Sequence, residues 1–160
     1  MQNKGSLIAM DIYESKLKKL KVRAKRNGAH NIDLRLINST KPIKKLKEKA
    51  DRLLIDAPCS GLGVLRRNPD TKWKLKPEFL DNIKATQQNI LHDYSKILKP
   101  GGKMVYATCS VLPSENQEQI AKFIASEEGS QFKLIKEKKI FAHKSGYDGF
   151  YMALLEKPIQ

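Results

Sequence analysis

Cys59 and Cys109 stand 109 − 59 = 50 positions apart, and each follows an apolar run that reads as a buried strand. The runs are Asp51 to Pro58 (DRLLIDAP) and Lys103 to Thr108 (KMVYAT). A thiolate is a strong nucleophile wherever its surroundings favour the anion, so a cysteine at the open end of a strand is a candidate for covalent catalysis. Asp56 lies just ahead of Cys59 and adds a carboxyl group that could act as an acid or hold a substrate. Other readings stand beside this one. Either cysteine alone suits a small buried hydrophobe, and the two together could form a redox pair. Two free thiols fit such a chain better than a structural disulfide.

The elements that must position these residues alternate between strand and helix. Ser6 to Asp11 (SLIAMD) is a short apolar run ending in an acid, and it reads as a parallel strand. Tyr13, Leu17, Leu20 and Ala24 then recur at helical spacing up to the stop at Asn27-Gly28, and Ile32 to Asn38 (IDLRLIN) alternates as a strand. After the loop Cys59 to Gly63 (CSGLG), a basic irregular stretch runs to Lys76. A long helix is predicted from Pro77 through Ile97, ended by Lys99-Pro100-Gly101-Gly102. Ser114 with Gln117 resembles a capping box opening a helix to about Ser126. Phe132 to Ala142 and Tyr147 to Glu156 flank a turn at Ser145-Gly146 and suit an antiparallel hairpin. This order implies an α/β doubly wound sheet with an antiparallel edge, without a domain boundary.

In such a sheet ligands sit beyond the carboxyl ends of the strands, where Asp11, Asn38, Asp56 and Cys109 are expected to converge. An acid ending the second strand of a nucleotide-binding sheet commonly accepts hydrogen bonds from ribose hydroxyls, which makes Asp11 a candidate for holding a nucleoside cofactor. Aspartate is also common at helix N-termini, and that reading of Asp11 stays open.

Composition narrows the partners. The 160 residues carry 31 lysines and arginines against 17 acids, a formal charge of +14, which favours a polyanion such as nucleic acid. Many of these lysines, Lys16, Lys18, Lys19 and Lys21 among them, also suit a solvated helix face. No stretch approaches the roughly 20 apolar residues of a membrane span, and the N-terminus lacks the apolar run of a signal peptide, so a cytoplasmic protein without membrane contact is expected.

Around the cysteines the residues read Asp56-Ala57-Pro58-Cys59-Ser60-Gly61-Leu62-Gly63 and Tyr106-Ala107-Thr108-Cys109-Ser110. Further segments are Val64-Leu65-Arg66-Arg67-Asn68-Pro69-Asp70, Lys99-Pro100-Gly101-Gly102, Glu115-Asn116 and Asp148-Gly149-Phe150. Together they resemble the Nop/Sun family of S-adenosylmethionine-dependent RNA cytosine-5 methyltransferases, whose fourth motif reads like DAPCSGLG and whose sixth reads like TCS. The resemblance covers essentially the whole chain. It implies a Rossmann-like class I methyltransferase sheet with an antiparallel C-terminal hairpin, S-adenosylmethionine as cofactor, RNA as substrate with ribosomal RNA foremost, and no metal.

The implied chemistry uses both thiols. Carbon 5 of cytosine is a poor nucleophile until a thiolate has added to carbon 6. By resemblance Cys109 is the attacking thiol, Cys59 assists breakdown of the adduct, Asp56 engages the cytosine ring, and Pro58 shapes the loop. Asp11, Asn38 and Asp56 are the implied cofactor contacts. Arg66, Arg67, Lys72, Lys74 and Lys76, with Trp73 among them, form a basic loop suited to phosphates and a stacked base, although Trp73 could equally anchor that loop to the core. The target base must be unpaired or flipped out to meet Cys109.

The sequence departs from the family in two places. The glycine-rich loop and lysine that precede the strand ending at Asp11 are absent, which implies one partial catalytic domain over 1–160, truncated at its N-terminus and lacking the first strand and its loop. Asn38 stands where the family's third-motif acid aligns. An alternative function follows, that of a catalytically incompetent fragment that keeps only RNA binding, with salt-sensitive binding as its mark.

Overall fold

The computed structural model describes residues 1–159 and contains two compact units, Met1–Leu46 and Lys47 onward. Each is taken by itself.

In the first unit, β1 (Leu7–Asp11) and β2 (Ile32–Leu36) pair in parallel from Leu7 opposite Ile32 to Asp11 opposite Leu36. The connection is α1 (Glu14–Arg26), which buries Leu17 and leaves its lysines in solvent. The Asn27-Gly28 stop acts as the sequence predicts. Ala29 N–H returns to Ala24 O, and Gly28 takes a left-handed φ of 65° that a side chain would resist. A short α2 (Lys41–Lys44) follows and buries Ile43, with Leu46 just beyond it.

The second unit holds a four-stranded sheet in the order β3-β4-β6-β5, formed by β3 (Ala50–Asp56), β4 (Leu98–Thr108), β5 (Lys133–Ile140) and β6 (Phe150–Glu156). β3 and β4 are parallel, while β6 runs antiparallel to both β4 and β5. This is the predicted mixed α/β sheet with its antiparallel hairpin. Between the strands lie α3 (Thr71–Lys74), α4 (Pro77–Ser95), α5 (Gln117–Ile124) and α6 (Ala142–Ser145). The core gathers Ile55, Leu91, Met104, Tyr106, Ile120, Phe123, Tyr151 and Leu155. Alternate residues of β6 (Tyr151, Ala153, Leu155) point into it, as the period of a strand requires. β5 is an edge strand, and its exposed Lys133, Lys136, Lys138 and Lys139 discourage pairing with another chain.

Three boundaries differ from the sequence reading by more than two residues, the starts of β4, α5 and β6. The long helix stops at Ser95, and Pro100-Gly101-Gly102 lies inside β4. The pairing jumps from Ala50–Leu98 to Arg52–Lys103, so the breaker residues form a bulge, with Gly101 at φ 76° and its N–H donating to Lys157 O at 2.6 Å. The capping box does not form. Ser114 lies in a 3-10 turn (Pro113–Glu115), and Asn116 begins α5 without a side-chain cap because its amide is bonded elsewhere. β6 starts at Phe150 instead of Tyr147, since Asp148 and Gly149 are tied to another loop.

Leu91 of α4 is completely buried at the centre of this core. Leu91→Ala is expected to lower unfolding stability by about 2–5 kcal/mol in a denaturant titration, the range for a cavity that neighbours fill only partly. A loss below about 1 kcal/mol would show that α4 is not packed as described.

Candidate active site

Parallel strands end on the same side of a sheet, and here that rule brings the two cysteine loops together. Asp56 pairs with Ala107, and Ala57 N–H donates to Ala107 O at 2.9 Å just before the chains diverge. The result is a Cys59 Sγ to Cys109 Sγ separation of 3.3 Å, with both side chains partly buried. Neither thiol is a core hydrophobe.

The electrostatics of the pair are asymmetric. A hydrogen bond from Cys59 S–H to the Cys109 sulfur stabilises the Cys109 thiolate and, aided by the Cys109 backbone N–H, holds its pKa down at about 7 against the opposing effect of burial. The same bond, together with burial, pushes the Cys59 thiol far above the ordinary thiol range. Of the pair, Cys109 is the thiol held toward its anion and Cys59 the one that keeps its proton.

A buried polar layer lies beneath the sulfurs. Glu115, fully buried, accepts from Ser60 N–H at 2.7 Å, Ser60 Oγ at 2.5 Å, Ser110 Oγ and Gln87 Nε2 at 3.2 Å. Gln87, on α4, also donates through Nε2 to Pro58 O at 2.9 Å. Its Oε1 is buried without a hydrogen-bond partner among the described residues, but turning the amide round would set that oxygen against two acceptors. Asn116 holds the other loop, accepting from Thr108 Oγ1 at 2.6 Å and donating to Ser110 O at 3.0 Å. Tyr106 OH donates to Glu115 O at 2.9 Å. Sequence reasoning singled out neither Ser60, Gln87 nor Ser110 as site residues. A clue was available in the matching Cys-Ser pairs at Cys59-Ser60 and Cys109-Ser110, two short polar side chains that invite one shared acceptor.

The loop carrying Asp148 closes against the site. Gly63 N–H donates to Cys109 O at 2.9 Å, and Gly149 N–H donates to Gly63 O at 2.7 Å. A Cβ on Gly63 would lie 2.2 Å from Gly149 O and 2.6 Å from Cys109 O, so the approach requires glycine.

The remaining predicted residues divide by position. Asp56 and Pro58 are exposed beside the cysteines, and among the described residues no hydrogen bond or ion pair engages the Asp56 carboxylate. Arg66 donates to Gly146 O, and Arg67 makes a 2.7 Å ion pair with Asp148, so both guanidinium groups link this loop to the one before β6. Trp73, on α3, is 79% exposed with Lys72 Nζ 4.8 Å from its ring centroid. It does not anchor the loop to the core.

Asp11 and Asn38 belong to the first unit and meet at one end of its sheet, where Ile37 N–H donates to Asp11 O at 2.9 Å. One Asp11 oxygen accepts from Tyr13 N–H at 2.8 Å, while the other is 3.7 Å from Lys16 Nζ and makes no hydrogen bond among the described residues. An open depression of about 670 Å³ is lined by Arg35, Leu36, Asn38, Ser39, Lys41, Pro42 and Lys45. Asn38, exposed, lines that depression, while Asp11 lies outside its lining. No cluster of three or more metal-ligating side chains occurs among the described residues, and none of their helices is long and apolar enough to cross a membrane.

The mixed α/β sheet with its closing antiparallel hairpin is of the Rossmann-like type found in class I methyltransferases. The family signature described as 16S rRNA methyltransferase RsmB/F matches residues 1–156, and the chain belongs to that family. It is 37% identical over 96% of its length to the ribosomal RNA small subunit methyltransferase B of Proteus mirabilis, of which it covers 36%. Among solved structures it superposes on PH0851 with a TM-score of 0.90 at 30% identity, covering 98% of this chain and 38% of that one. It also superposes on NSun6 from Pyrococcus horikoshii, solved with SFG, with a TM-score of 0.85 at 28% identity, covering 99% and 43%. The chain thus spans 36% to 39% of the length of the curated relatives it matches first.

The thiol pair predicts a measurable asymmetry. Alkylation by iodoacetamide, followed by mass spectrometry across pH 5–10, is expected to modify Cys109 with a midpoint near 7 and to leave Cys59 nearly inert. Cys59→Ala should move the Cys109 midpoint up toward the free-thiol value of about 8.5, because the donor that lowers it is gone. Equal reactivity of the two thiols would contradict the asymmetry.

Proposed function

We propose that this chain carries the chemistry of methyl transfer from S-adenosylmethionine to carbon 5 of a cytosine in ribosomal RNA, through a covalent adduct on Cys109. The observation that carries the reading is the 3.3 Å thiol pair at the ends of two adjacent parallel strands.

Cys109, the thiol held toward the anion, adds to carbon 6 of the base, forming a carbon–sulfur bond and leaving carbon 5 electron-rich. Asp56, exposed beside the pair, acts as the acid that delivers a proton to ring nitrogen 3 and so neutralises the negative charge that addition creates. S-adenosylmethionine, when bound, supplies the electrophilic methyl group, and Asp11 and Asn38 are the residues suited to its ribose and adenine. A base then takes the proton from carbon 5, the carbon 6–sulfur bond breaks with its electron pair returning to Cys109 Sγ, and Cys59 assists because it stands within reach of that departing sulfur. The Pro58 carbonyl is held by Gln87, which fixes the loop just ahead of Cys59.

RNA as the substrate class is supported by the charge of +14 and by the exposed Trp73 among Lys72, Lys74 and Lys76, where a base can stack while phosphates meet the lysines. The base presented to Cys109 must come from a single-stranded or opened region.

The two roles separate in one experiment. Cys59→Ala, incubated with ribosomal RNA and S-adenosylmethionine, should accumulate a denaturation-resistant protein–RNA complex, because addition is intact and release is impaired. Cys109→Ala should form none. A complex that persists in Cys109→Ala, or its absence from Cys59→Ala, would overturn the assignment.

A further inference from the structure

The structure assigns to Glu115 the role of a positioning residue, whose buried carboxylate sets the distance between the two thiols by gripping the residue that follows each of them. This inference rests on the reading of Cys59 and Cys109 as the catalytic pair.

Burying a carboxyl group is costly unless its oxygens are satisfied, so a fully buried glutamate with several donors marks a place where geometry has been fixed at some expense. The donors identify that geometry. Ser60 follows Cys59 and Ser110 follows Cys109, and both serine hydroxyls converge on Oε2, 3.2 Å from each other. Oε1 takes Ser60 N–H and Gln87 Nε2. Gln87 also holds Pro58 O, so Cys59 is fixed from the residue before it and the residue after it. Asn116 does the same for Cys109 through Thr108 and Ser110. The adjacent side chains Glu115 and Asn116 therefore bracket both cysteines at once, while Glu115 makes no hydrogen bond to either sulfur. Its charge also acts directly, pushing the Cys109 thiol up, so loss of the charge alone would lower the Cys109 midpoint and only loss of the grip through the serines can raise it.

The chemistry of the grip distinguishes among substitutions. Glutamine can keep its oxygen toward the two N–H donors and present its NH2 to the two serine hydroxyls, which can rotate to accept. Aspartate retains the carboxylate but is one methylene shorter and cannot reach both loops. Alanine removes the bridge altogether.

The test measures the pH dependence of Cys109 alkylation in the full chain, without RNA or cofactor, alongside circular dichroism and thermal unfolding. Glu115→Ala and Glu115→Asp should raise the Cys109 midpoint toward the free-thiol value and slow alkylation at pH 7 on the order of tenfold, while Glu115→Gln should keep most of the native profile. A residue that serves stability alone would lower the melting temperature and leave that midpoint in place. A native pH profile in folded Glu115→Ala, or in folded Glu115→Asp should alanine fail to fold, would overturn the proposal. If both fail to fold, Ser60→Ala decides: an upward shift supports the grip and an unmoved midpoint overturns it. Because the readout needs no methyl transfer, failure of the covalent mechanism in the trapping experiment would leave this result separately interpretable.

Discussion

The parallel pairing of β3 and β4 is the constraint on which the site depends. Backbone hydrogen bonds run along the ladder up to Ala57 and Ala107, and the chains leave the sheet one and two residues later, respectively, as loops that have nowhere to go but beside each other. Two cysteines 50 residues apart become neighbours at 3.3 Å without either loop being long. Beneath them the sheet offers only backbone, so the loops need their own polar support. Glu115, Gln87 and Asn116 supply it from α4 and the segment entering α5. Leaving one of these donors or acceptors unpaired would cost about 1–3 kcal/mol, which is why such a layer holds its geometry.

Much of this fold was legible in the sequence because it rests on local signals. Apolar runs closed by Asp11, Asp56 and Thr108 gave the strands, Asn27-Gly28 gave a helix end, and the composition of the last segment gave the hairpin. What failed were elements decided by distant partners. Pro100-Gly101-Gly102 reads as a plain stop, yet Lys157 gives and receives hydrogen bonds there and draws the segment into β4 as a bulge. Ser114 and Gln117 have the spacing of a capping box, yet Asn116 is recruited by Thr108 and Ser110, and the helix begins later.

The site divides in the same way. The cysteines were visible as chemistry because a thiol is a rare side chain with few uses, and the motifs around them pointed to a family that the comparisons then showed. The supporting layer showed only as motif residues without a role, Ser60, Ser110 and Glu115-Asn116, and Gln87 did not show at all, since a glutamine in a helical stretch reads as solvent-facing until packing buries it. Arg66 and Arg67 illustrate the converse. Their charge is plain in the sequence, and packing adds that both tie neighbouring loops, to Gly146 O and to Asp148.

The contact between Gly63 and Gly149 has a consequence for how such a site can vary. The backbones of three loops meet there with no room for even a methyl group, since a Cβ on Gly149 would come 2.9 Å from Gly63 Cα and 2.6 Å from a Val111 methyl. Drift at either glycine would displace the thiol-bearing loops even while both sulfurs remained in the sequence. The sequence latitude of the site is thus narrowest at two residues that carry no functional group, and a lineage could lose the alignment of its nucleophile without losing the nucleophile.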